Sequence, residues 1–133
     1  MNVLDRAIAG LVPVLPRPLV GRVARRYIAG ADLVDALRTV AALADQEGCV
    51  ATLDVLGEHL RTAADAHVMT EAYCQALEGI ARRGLPCGVS VKLSSLGLAL
   101  DRALCEANLE LVLEAAEGAH RFVRIDMEEA PTV

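Results

Sequence analysis

Three stretches of this chain alternate apolar and polar residues with a period of two: ATLDVLGE at 51–58, GVSVKLSS at 88–95 and RFVRIDME at 121–128. The alternation predicts β-strands over 51–56, 88–93 and 121–127, with odd- and even-numbered residues on opposite faces. The odd face is apolar and carries Leu53, Val55, Val89, Val91, Leu93, Val123 and Ile125. The even face carries Asp54, Ser90, Lys92, Ser94, Arg124 and Asp126. A parallel sheet covered on both sides does not tolerate such charges unless they are paired or used, so this face is the expected site.

Helical periods fill the gaps between the strands. Asp32 is a candidate N-cap, followed at helical spacing by Leu33, Leu37, Val40, Ala41 and Ala44, with Gly48 as the stop. Thr62 offers a second cap before a helix over 63–82, ended by the Arg-Arg-Gly-Leu-Pro run at 82–86. Asp101 opens a third helix to about Glu117, with Gly118 as its expected terminator.

Asp54 and Lys92 are 38 residues apart, Lys92 and Asp126 34, each the length of a strand plus a crossover helix. That spacing forces parallel pairing. No G-x-G-x-x-G or G-x-x-x-x-G-K sequence follows any strand, so the phosphate-holding turn of the open nucleotide folds is missing. The polar residues lie near the C-terminal ends of the strands, where barrels keep their chemistry. The expected fold is therefore α/β, a (β/α)8 TIM-like barrel, with N-terminal helices over 1–48 and the first three strands with their helices over 49–133. A full barrel needs eight such units in about 250 residues, so the chain is expected to be the N-terminal part of a longer barrel domain.

Composition narrows the function. The 133 residues suit one domain, and 54% hydrophobic against 23% charged describes a globular chain. A net charge of −5 and only two Tyr, one Phe and no Trp remove the basic footprint and stacking platforms that nucleic-acid binding needs. Cys49, Cys74, Cys87 and Cys105 form no C-x-x-C pair, and His59, His67 and His120 have no zinc-ligand spacing to them. They read as reduced, small apolar residues of a cytoplasmic protein. Near the N-terminus, Pro13, Pro16 and Pro18 break the apolar run well short of a membrane span. Two short helices are expected there, with Arg22, Arg25 and Arg26 either solvated or set against an anionic membrane surface.

The blocks RYIAG at 26–30, LDVLGE at 53–58, VSVKLSSLGL at 89–98 and FVRIDMEEAPT at 122–132 resemble, in order and spacing, the N-terminal part of bacterial proline dehydrogenase. The resemblance implies a distorted (β/α)8 barrel that holds FAD, oxidises L-proline to 1-pyrroline-5-carboxylate and passes electrons to a membrane quinone. It further implies that Lys92 binds the proline carboxylate, that Asp126 is the active-site aspartate of the third strand, and that Met127 lines the FAD pocket. Glu129 and Ala130 stand where the family pattern has Asp-Ser, and Ser94 where it often has Thr. Most flavin contacts and the arginine partners of the carboxylate are implied to lie beyond Val133, so the chain by itself is expected to be inactive.

The residue types suit that chemistry independently. Hydride transfer to a flavin needs orientation and electrostatics more than a strong protein base. A lysine can hold an amino acid's carboxylate, and a nearby aspartate can keep that lysine, or an arginine, charged and aimed. Asp54 is a candidate supporting counter-ion, Arg124 an interior or rim salt-bridge residue, and Ser90 and Ser94 small layer-fillers. The residues alone leave open a structural ion pair, another flavin barrel of the methylenetetrahydrofolate reductase type, and a non-catalytic barrel fragment.

Overall fold

The computed structural model describes residues 29–30, 32–57 and 60–126. The expected N-terminal helices before Asp32, together with Met127 and the residues after it, lie outside these. Helix α1, Leu33–Glu47, begins where the Asp32 carboxylate accepts the Asp35 N–H at 2.9 Å. It buries Leu37 and Val40 and ends at Gly48, whose φ of 62° a residue with a Cβ adopts only at a cost. Strand β1, Ala51–Asp54, follows.

Helix α2, Ala63–Arg82, opens with a reciprocal cap. The Thr62 hydroxyl accepts the Asp65 N–H at 3.2 Å, while the Asp65 carboxylate accepts the Thr62 N–H at 2.9 Å and the Arg61 N–H at 3.0 Å. These backbone donors hold the Asp65 carboxyl below its ordinary value. Ala66, Met69, Tyr73, Ala76, Leu77 and Ile80 recur every three or four residues and are the buried apolar face of α2. Strand β2 is Cys87–Lys92, followed by a 3₁₀ turn, Leu93–Leu96. Helix α3, Arg102–Gly118, is capped by Asp101, and strand β3 is Val123–Asp126.

The strands form one parallel sheet in the order β1-β2-β3. Helices α2 and α3 pack together against its odd face, where Leu53, Val89 and Val91 join Tyr73, Leu77, Ile80, Cys105, Val112 and Ala116 in one core. Burial of these side chains, each worth about 1.5–3 kcal/mol if fully removed from water, fixes which face of each strand turns inward. Ile125, on the same parity, is 47% exposed, because it stands on the edge strand beyond the reach of α3.

The strand ends differ from the sequence expectation, and each difference has a local cause. β1 stops at Asp54, where its ladder with β2 ends at Ser90. β2 stops at Lys92 because the chain turns at once. There the Ser95 hydroxyl donates to the Lys92 carbonyl at 2.7 Å, Asn108 donates to the Leu96 carbonyl at 3.0 Å, and Gly97 takes a φ of 102°. Leu93 and Ser94 therefore belong to the turn, not to the strand. β3 begins at Val123 because the Arg121 N–H is still bonded back to Ala116 in α3. Gly118 does not terminate α3 by a left-handed turn. It is the last helical residue, and the positive φ, 53°, falls on His120.

Candidate active site at the strand ends

The ladder between β2 and β3 sets Ser90 beside Arg124 and Lys92 beside Asp126. All four share the even parity, opposite the face covered by helices. Within β3, Arg124 and Asp126 are two residues apart and point the same way. The Arg124 Nε donates to the Asp126 carboxylate at 2.8 Å and to the Ser90 hydroxyl at 3.1 Å. Ser90 is 1% exposed, so the pair rests on a buried hydroxyl at one end and opens to solvent at the other.

Hydrogen bonding from Ser90 first, then from Arg124, and finally the positive charges of Arg124 and Lys92, hold the Asp126 carboxyl below its ordinary value. It is a carboxylate throughout the neutral range. Any stability it lends is present above its unfolded value and is lost as the pH falls through the lower folded one. Lys92, half-buried at the end of β2, is the single lysine among the chain's thirteen Lys and Arg residues. Its neighbour in register is the carboxylate that carries the site's negative charge.

A second network closes the helix side of the same strand ends. Tyr73, in the middle of α2, is fully buried, and its hydroxyl donates to the Asp54 carboxylate at 3.2 Å. Burial, reinforced by the Asp54 charge and hydrogen bond and opposed by Ser95 and Val55, pushes the phenol up to about 12. A phenol raised in the fold stabilises it below the unfolded value near 10 and loses that contribution as the pH rises through the folded value. Urea unfolding of the native chain should thus weaken between pH 10 and 12 by up to about 2 kcal/mol, allowing for partial solvent screening. Tyr73→Phe should remove that alkaline step, and an unchanged pH dependence in the variant would contradict the assignment.

At the opposite ends of the strands a cleft of about 250 Å³ is lined by Val50, Leu85, Pro86, Cys87, His120 and Phe122 among others. Burial pushes the Cys87 thiol up, away from reactivity. The paired charges lie at the other end.

The structure thus brings Lys92 and Asp126 together, as the strand parity implied, and makes Arg124 the salt-bridge residue it was expected to be. Asp54 stands at the same strand ends but accepts from Tyr73. Ser90 is more than a filler, since it bonds both members of the Arg124–Asp126 pair. Sequence reasoning missed Tyr73 and Ser95. The available signal was a polar aromatic at a core position of α2, whose hydroxyl needs a partner.

The sequence profile of the proline dehydrogenase family matches residues 36–132, which include every strand and helix described except the first turn of α1. This chain belongs to the proline dehydrogenase family. It is 36% identical over 106 residues to proline dehydrogenase 1 of Bacillus subtilis, a match covering 80% of this chain and 35% of that protein. Proline dehydrogenase 2 of the same organism gives the same identity and coverage. Proline dehydrogenase of Deinococcus radiodurans is 29% identical over 118 residues, covering 86% of this chain and 38% of its own length. The chain spans about a third of the length of the proline dehydrogenases it matches.

Proposed function

We propose that the open face of β2 and β3 is one wall of a proline dehydrogenase active site, in which L-proline is oxidised to 1-pyrroline-5-carboxylate. The observation that carries this is the Lys92–Asp126 pair in register at the C-terminal ends of parallel strands, with Arg124 and Ser90 bonded to the same carboxylate. The family membership sets aside a reductase of the methylenetetrahydrofolate type. The sequential strand order, with both crossover helices on one face, suits a wall of a (β/α)8 barrel, since an open doubly wound sheet reverses direction and carries helices on both faces.

In this reading the Lys92 ammonium takes the substrate carboxylate, and Asp126 keeps the cations beside it charged and aimed. Oxidation removes a hydride from the ring carbon next to nitrogen and a proton from the nitrogen, leaving a C=N bond. The described residues fit a flavin enzyme's substrate wall: they present fixed charge for orientation and no nucleophile activated by a neighbouring base. Bound FAD would supply the hydride acceptor and deliver the electrons to a quinone. Met127, directly after Asp126, is proposed to line the flavin pocket. Contact of Arg22, Arg25 and Arg26 with an anionic membrane surface would bring a cytoplasmic enzyme to that quinone.

Asp126→Asn in the flavin-loaded enzyme should lose on the order of 100-fold in catalytic efficiency through misplacement of the groups it aims, with flavin absorbance retained. A variant with native turnover would remove Asp126 from the mechanism. The carboxylate assignment is tested on the chain itself: proline should perturb the NMR signals of Lys92, and pyrrolidine, which lacks the carboxylate, should not. Equal responses to both would overturn it.

A further inference from the structure

We propose that Ser90 is a positioning residue for Asp126, acting through the Arg124 guanidinium; the role rests on the reading of Asp126 as the active-site carboxylate. The two ladders set Ser90 between Asp54 on β1 and Arg124 on β3, one row before Lys92 and Asp126. Of these five even-face residues it alone is uncharged, and it alone is buried. The Arg124 Nε carries a single hydrogen, and that hydrogen is shared. The nitrogen stands 2.8 Å from the Asp126 carboxylate oxygen and 3.1 Å from the Ser90 hydroxyl oxygen, and both accept.

The ion pair alone is a poor anchor. Arg124 and Asp126 stand on the edge of the described sheet, and the Arg124 side chain is more than half exposed. Two such side chains keep rotamers to spare, so their attraction does not by itself hold one geometry. Ser90 differs on each count. It belongs to the central strand, paired on both sides, and stands between the fully buried Val89 and Val91. Its oxygen is one bond beyond Cβ, so the strand backbone restricts that oxygen to a few staggered positions. The hydroxyl is thus the fixed point that carries the placement of β2 across to the guanidinium, and from there to the carboxylate. Alanine would occupy the same place and leave the odd-face core untouched, so what the oxygen adds is aim, not packing.

In the flavin-loaded enzyme, Ser90→Ala should lower kcat/KM for proline about tenfold, and Arg124→Lys, which keeps the charge but removes the shared Nε hydrogen, should do the same. In an Asp126→Asn background Ser90→Ala should cost nothing further, because the carboxylate it positions is gone. In the ¹⁵N spectrum of the chain itself, the Arg124 Nε–H signal should move in Ser90→Ala by more than its linewidth. Ile80→Val, fully buried in α2, serves as the control. It should lower Tm while turnover and the Arg124 signal stay unchanged, which separates positioning from general loosening of the core. Native turnover in Ser90→Ala, an unmoved Arg124 signal, or an equal tenfold loss with and without the Asp126 carboxylate overturns the proposal. Should Ser90→Ala not fold, native turnover in Arg124→Lys does so. Failure of the underlying reading shows elsewhere, as native turnover in Asp126→Asn alone.

Discussion

Lys92→Met is expected to weaken proline binding by about 2–5 kcal/mol, about 30-fold or more in Kd, while thermal unfolding changes little. Methionine keeps the unbranched apolar stem and removes the charge, so the loss falls on the ligand's carboxylate and not on packing. The variant also strips one positive charge from beside Asp126, whose carboxyl should then rise toward its ordinary value. Calorimetric titration with proline reads the first effect and an acid titration of the carboxyl signals the second. Native affinity in Lys92→Met would mean that the carboxylate is held by another group.

Leu77→Ala is expected to cost about 2–5 kcal/mol of stability, which for a domain of this size threatens folding at body temperature. Leu77 is fully buried in α2, in the core shared with β2 and α3, and the cavity left by its truncation cannot be filled without moving elements that hold the strands. Leu111, half-exposed on α3, provides the contrast. Its truncation should stay within about 0.5 kcal/mol of the native chain. Urea midpoints measured side by side decide the matter; equal losses at the two positions would contradict the core described above.

What could be read from the sequence was whatever is encoded locally. The helix expected over 63–82 is found as Ala63–Arg82, because Thr62 and Asp65 cap each other within one turn and a glycine-proline run follows its end. Lys92 and Asp126 could be assigned to one face because strand parity is a property of the strand alone. Strand ends are set by partners far away in sequence, so the extent of β1 and the turn after Lys92 were out of reach. The Tyr73 network was missed for the same reason. A tyrosine in an apolar helical period looks like core, and its hydroxyl finds Asp54 only once α2 lies over the strand ends.

The order β1-β2-β3 also governs assembly in time. In both ladders a strand pairs with the one made just before it, across a single intervening helix, and neither pairing waits for a distant segment. A chain emerging from the ribosome can therefore add strands as they appear, each helix sealing the newest strand against the last. Lys92 and Asp126 sit on neighbouring strands, so these charges of the site meet when β3 pairs with β2.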